Sequence, residues 1–217
     1  MRFDTVLFDM DGTLVDTLAD ICSAANYTLR AMGYPERTLA EMRRFVGNGA
    51  EMQMRRALGA AADEETVKRA LEIYKPYYAA HCQVETRPYA GVTELLAALK
   101  REGFRMAVVS NKPDAAVKKL SEEYFGSRMD YAVGAKEGVR CKPYPDMVDD
   151  ALKALGETRD GAVFIGDSEV DVQTGLNAGL PVIAVSWGFR SRETITAAGA
   201  TVIADDASAL RRLLLEE

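Results

Sequence analysis

Short, continuously apolar runs recur along the chain at 5–10, 105–111, 131–134, 162–167, 181–186 and 201–204. Runs without polar alternation are expected of strands covered on both faces. Amphipathic stretches of helical period separate most of them, at 92–102, 114–124, 146–155, 170–178, 193–198 and 207–214. Strand and helix in alternation predict an α/β fold, a parallel sheet with helices on both faces.

The stretch from 17 to 83 breaks this rhythm, because helical patterns follow one another there without a strand. Over 17–32, the residues Leu18, Ile21, Cys22, Ala25, Leu29 and Met32 share one helical face. Thr17 and Asp20 resemble a capping box, and Gly33 is a natural stop. Further helices fit 39–45, 50–58 and 64–82, the last expected to bend at Pro76. The chain returns at 86–91. The expected division is a core of 1–15 and 84–217 with a small all-helical insert, 16–83, over the C-terminal strand ends, where α/β sheets bind ligands.

Composition narrows the classes of function. Charged residues make up 28% of 217, with a net charge of −6 and no run of Lys and Arg, so a nucleic-acid partner is not expected. No stretch reaches the roughly 18 apolar residues of a membrane span, and no secretory leader is read at the start. Cys22, Cys82 and Cys141 are scattered without CxxC spacing, which suggests neither a zinc site nor a disulfide framework. The expectation is a cytoplasmic protein, monomer or homodimer, with His81 structural or on the surface.

Candidate chemistry clusters at four strand ends. Asp9 and Asp11 follow the first apolar run two residues apart, a spacing that turns both to one side of an extended segment, and Gly12 permits a sharp turn after them. An Asp-Gly turn alone would account for Asp11 but not for Asp9, which would be costly to bury unpaired. Ser110 and Asn111 precede Pro113, which suits the first turn of a helix, so a hydroxyl and an amide lie at an anion-binding N-terminus. Lys142 follows the third run, and Asp167 ends the fourth with Asp171 four residues on. Ser168 and Asp171 also fit a helix-start pattern. Several carboxylates at one sheet edge need a compensating cation, and hard oxygen donors favour Mg²⁺.

Together these residues resemble the haloacid dehalogenase superfamily, whose four motifs match Asp9-x-Asp11-x-Thr13, Ser110-Asn111, Lys142-Pro143 and Gly166-Asp167-x-x-x-Asp171. The resemblance implies a Rossmann-like core with a C1-type cap, and a magnesium-dependent phosphatase working through an aspartyl-phosphate. Asp9 would be the nucleophile and Asp11 the general acid, then base. Thr13, Ser110, Asn111 and Lys142 would bind phosphate. Asp9, Asp167, Asp171 and the backbone beside Asp11, at the Met10 carbonyl, would hold Mg²⁺. Asp16 would be scaffolding or a hinge. Within the superfamily, Asp16–Asp20, Val46-Gly47-Asn48-Gly49-Ala50, Ser110-Asn111-Lys112-Pro113 and Arg87–Val92 are similar to the phosphoglycolate phosphatases, which implies 2-phosphoglycolate as substrate and Gly47, Asn48 and Gly49 as a specificity loop.

Other readings stay open. A broad phosphatase of sugar phosphates or nucleotides, a pyrophosphatase, or a mutase resembling β-phosphoglucomutase would keep all four motifs. The mutase resemblance leads one to expect a His in the first cap helix, and none stands there. A dehalogenase needs neither Asp11 nor the Asp167/Asp171 pair. A receiver domain lacks a cap and carries its phosphorylated Asp mid-chain.

Overall fold

The computed structural model describes residues 3–216. Six strands form one parallel sheet: β1 (Thr5–Phe8), β4 (Arg105–Pro113), β5 (Tyr131–Ala135), β6 (Ala162–Gly166), β7 (Val182–Val185) and β8 (Val202–Ala204). Their order is β5-β4-β1-β6-β7-β8, so the first strand lies at the centre between the second and fourth apolar runs. Phe8 pairs across to Val108 on one side and Ile165 on the other. The residues following all three therefore emerge side by side at one edge.

Alternation along β1 sorts the sheet into two cores. Val6 and Phe8 face the layer built on α5 (Val92–Arg101), α6 (Asp114–Phe125) and α10 (Ala207–Leu215). Leu7 faces the opposite layer with Ala107, Val109 and Phe164 from the sheet, against α7 (Asp146–Leu155) and the end of α8 (Glu169–Ala178). Leu7, Phe8 and Phe164 are all fully buried, and each such side chain contributes roughly 1.5–3 kcal/mol. A small helix, α9 (Arg192–Ala197), packs Ile195 beside the outer strands.

Between β1 and α5 lie four helices, α1 (Leu18–Ala31), α2 (Leu39–Phe45), α3 (Gly49–Leu58) and α4 (Glu64–His81). They share the first core through Ile21, Leu29, Met42, Met54, Val67 and Tyr78. Thr38 and Glu41 cap α2 reciprocally, and α4 runs on as one helix through Pro76. The way in and the way out are joined by a two-residue antiparallel pair, β2 (Val15–Asp16) with β3 (Arg87–Pro88), too short to leave a periodic signal in the sequence.

The expected capping box of Thr17 and Asp20 does not form. Asp20 is buried and instead accepts hydrogen bonds from the Glu85 N–H, the Thr86 N–H and the Thr86 hydroxyl, which tie α1 to the returning chain. Thr17 donates its hydroxyl to Asp11 Oδ1 at 2.7 Å. Tertiary partners took both side chains because both are buried at the crossing, where a local cap would leave other polar groups unmet.

Candidate active site

The turn after β1 is set by backbone bonding and by glycine. The Met10 carbonyl accepts hydrogen bonds from the N–H groups of Thr13, Leu14 and Val15, at 3.3, 3.0 and 3.1 Å. Expected among the metal donors, that oxygen is committed to the turn instead. Gly12 sits at φ +91°, and a Cβ there would fall 2.4 Å from Asp167 Oδ2. Only glycine allows this reversal so close to the fourth strand end.

Asp9, Asp167 and Asp171 are buried together, with one carboxylate oxygen of each within 4.8 Å of the others. The buried Lys142 ammonium donates to Asp9 Oδ1 at 2.6 Å and to Asp171 Oδ1 at 2.7 Å. Asp171 Oδ2 meanwhile accepts from the Ser168 backbone N–H and hydroxyl, so one residue both starts α8 and binds the lysine. Asp167 accepts from the Phe189 N–H at 2.6 Å and from the Thr13 hydroxyl at 3.4 Å.

Burial pushes Asp9 up to about 7, more than Lys142 can offset, with Asp171 and Asp11 adding repulsion. Asp167 is raised further by burial and then by Asp171 and Asp9. Burial would lower Lys142, yet Asp171 and Asp9 outweigh it and the net direction is up. Lys142 is thus held as an ammonium, while the acids around it crowd one another.

A cavity of about 50 Å³ opens on this cluster, lined also by Asp11, Ser110 and the Gly47 and Gly49 backbone. Asp11 does not join the three-carboxylate group. It accepts from Thr17 and from Lys112 Nζ, the latter at 2.7 Å. Lys112 is the residue sequence reasoning missed: a second buried ammonium at the edge, under the Tyr78 ring at 4.7 Å from its centroid. The only hint was its place in Ser110-Asn111-Lys112-Pro113, since a lone Lys on a strand normally reads as solvated. Arg190, also missed, pairs with Glu169 and donates to the carbonyls of Arg43 and Val46 at the end of α2, so it clasps the helical segment from below.

Three side chains expected at the substrate site, two for phosphate and one in the specificity loop, have protein partners. The Asn111 amide donates to the carbonyls of Gly47 and Lys142 and accepts from the Lys142 N–H, so it joins two loops. Thr13 is buried against Asp167. Asn48 turns back to accept from Arg56, a last-turn residue of α3 that also donates to the Phe45 carbonyl. Gly47 and Gly49, in contrast, do reach the cavity.

The four carboxylates Asp9, Asp11, Asp167 and Asp171 face two ammonium groups, which leaves two formal negative charges. That is the charge of one divalent cation, and an all-oxygen donor set suits a hard one such as Mg²⁺. No described helix is long and apolar enough to cross a membrane, and the three cysteines are free thiols.

Comparison with known proteins sharpens this picture. The family described as haloacid dehalogenase-like hydrolase matches residues 6–185. A phosphoglycolate phosphatase of Pseudomonas savastanoi pv. phaseolicola is 34% identical over 96% of this chain and 78% of its own length. An N-acetylmuramic acid 6-phosphate phosphatase of Pseudomonas aeruginosa is also 34% identical, over 94% of this chain and 92% of its own. A crystal structure from Lactobacillus delbrueckii subsp. bulgaricus, assigned as a phosphoglycolate phosphatase, shares 40% identity over the whole of both chains, with a TM-score of 0.95.

Proposed function

The chain belongs to the haloacid dehalogenase-like hydrolase family and is a phosphatase of that family, and from this premise we propose that it hydrolyses 2-phosphoglycolate with Mg²⁺ through an aspartyl-phosphate on Asp9. The observation that carries the reading is Asp9 itself: a buried carboxyl facing a small cavity, held by Lys142 and grouped with Asp167 and Asp171.

Asp9, Asp167 and Asp171 would hold the magnesium ion, which when bound supplies positive charge to the phosphoryl oxygens and keeps these carboxylates ionised. Asp9 Oδ attacks phosphorus in line, a bond forms from that oxygen to phosphorus, and the bond from phosphorus to the ester oxygen breaks. Asp11 gives its proton to the departing alkoxide. It then takes a proton from a water that attacks the aspartyl-phosphate and frees inorganic phosphate. Lys142 and the Ser110 hydroxyl stabilise the charge spread over the phosphoryl oxygens.

Residues 16–83 form a cap over a core of 1–15 and 84–217. The Asp20 bonds to the returning chain and the Arg190 clasp on α2 support that division. A closed cap excludes water from the reacting phosphate.

The choice of ester rests on the named relatives. The cavity of about 50 Å³ is small and lined by both the helical segment and the sheet, as a site for a small phosphate ester requires. The test is phosphate release from 2-phosphoglycolate, N-acetylmuramic acid 6-phosphate, hexose phosphates, nucleoside monophosphates and pyrophosphate, with Mg²⁺ and with EDTA. The expected result is magnesium-dependent release with 2-phosphoglycolate leading in kcat/KM. A lead by another ester would overturn the substrate, and release unaffected by EDTA would overturn the metal.

A further inference from the structure

Two buried polar groups in the cavity make no hydrogen bond of normal geometry among the described residues: Gln53 Nε2 on α3, whose nearest polar neighbour is the Tyr74 phenol, and the Tyr78 hydroxyl on α4. Gln53 is 5% exposed and Tyr78 3%, so neither finds bulk water. A buried donor left unmet costs about 1–3 kcal/mol, and native proteins rarely tolerate two in one pocket. Both residues line the same cavity as Asp11 and Lys112.

Lys112 adds the charge. Its ammonium has three N–H donors and gives one of them to Asp11, at 2.7 Å. It lies beneath the ring of Tyr78, so the lysine from β4 and the tyrosine from α4 close on one space. An amide N–H₂, a phenol O–H and an ammonium make a donor-rich, cationic set. Its complement is a small anion with several acceptor lone pairs, which is a carboxylate.

We infer that Gln53, Tyr78 and Lys112 form a leaving-group subsite that takes a carboxylate on the carbon next to the ester oxygen. The inference rests on the phosphatase reading above and names what selects its substrate. Lys112 lies beside Asp11 on the strand edge, so an acid bound to it brings the ester oxygen within reach of the Asp11 proton. The subsite is shared between helical segment and sheet, and its donors converge only when the two are together. A carboxylate substrate thereby helps assemble the site that cleaves it.

The test compares 2-phosphoglycolate with 2-hydroxyethyl phosphate, an ester of the same size whose leaving alcohol is neutral, in the wild type and in Tyr78→Phe and Gln53→Glu. The wild type is expected to favour the acid by at least about tenfold in kcat/KM, the worth of one or two hydrogen bonds to a charged group. Tyr78→Phe keeps the ring over Lys112 and should cut that ratio by roughly tenfold, chiefly through KM for the acid. Gln53→Glu puts a like charge in the subsite and should turn the preference towards the ester of the neutral alcohol. A wild type with no preference for the acid overturns the subsite while leaving the phosphatase intact, and this readout needs no variant to fold. Equal losses on both esters in Tyr78→Phe overturn it as well, since a purely structural tyrosine acts on both alike. A preference for a different carboxylate ester supports the subsite and removes 2-phosphoglycolate. Release from no ester at all overturns the phosphatase reading and the subsite with it.

Discussion

Magnesium should stabilise this protein far more at pH about 8 than at pH about 5, because Asp9 must lose a proton to serve as a ligand. In the folded chain burial raises Asp9 to about 7. In the unfolded chain its value is near 3.9. The folded state therefore binds the proton more tightly, and the metal-free protein loses stability as pH climbs from about 4 to about 7. The full cost above that window is roughly 4 kcal/mol, from about three pKa units at 1.36 kcal/mol each. Bound cation reverses the penalty by favouring the ionised carboxylate.

At pH about 8 and a concentration near 100 times Kd, a ligand of the folded state stabilises by about 2.7 kcal/mol. For a chain of this length that raises Tm by roughly 5–10 °C. At pH about 5 only about 1% of Asp9 is ionised, so apparent affinity falls about 100-fold and the same dose yields about 0.4 kcal/mol. The expected shift there is on the order of 1 °C. Asp167, raised in the same direction by burial, steepens the contrast. Scanning fluorimetry with and without Mg²⁺ at both pH values reads this directly. Equal shifts, or a larger one in acid, would falsify the assignment of Asp9 as a buried ligand that must ionise.

Asp9→Asn should lower phosphate release by on the order of 10³-fold or more, with Tm unchanged or raised because a neutral amide relieves the crowded charge; near-normal turnover in a phosphate assay refutes the nucleophile. Arg190→Ala should raise KM by about tenfold, and limited proteolysis should reach the 43–49 loop, since the carbonyls of Arg43 and Val46 lose their charged donor. Unchanged KM and cleavage pattern would show that the clasp is not needed. Gly12→Ala should cost a few kcal/mol and most of the activity, because a Cβ would overlap Asp167 Oδ2 at a φ of +91°. A melt within about 1 °C of wild type would mean that the turn relaxes freely.

The parallel sheet and the four strand-end motifs were legible in the residues themselves. Short apolar runs uninterrupted by polar alternation, such as Ala162–Gly166, fit strands covered on both faces, and the helix over Asp146–Leu155 was readable to the residue. An aspartate closing such a run, as Asp9 and Asp167 do, marks chemistry because burying it idle is too costly. These are local facts, carried by period and by residue type. Thr17 and Asp20 show where local reading ends. A helix-start pattern pointed to a cap, but the fold brought the Thr86 backbone to Asp20 and Asp11 to Thr17, and those partners are distant in the chain.

The same holds for the direction of the polar side chains. Asn48, Asn111 and Thr13 were the right residue types at a phosphate site, yet each is satisfied by protein: Arg56, the Gly47 and Lys142 loops, and Asp167. Gln53 and Tyr78 carried no motif, and Lys112 stood in one without a role of its own, because nothing in residue order says that β4, α3 and α4 meet at one point. Residue order is enough to tell which elements form and which strand ends carry charge, since both follow from burial along a single segment. Only the tertiary structure decided which donors face the cavity and which are already taken, because a hydrogen bond is settled by whichever partner the packing brings within about 3 Å.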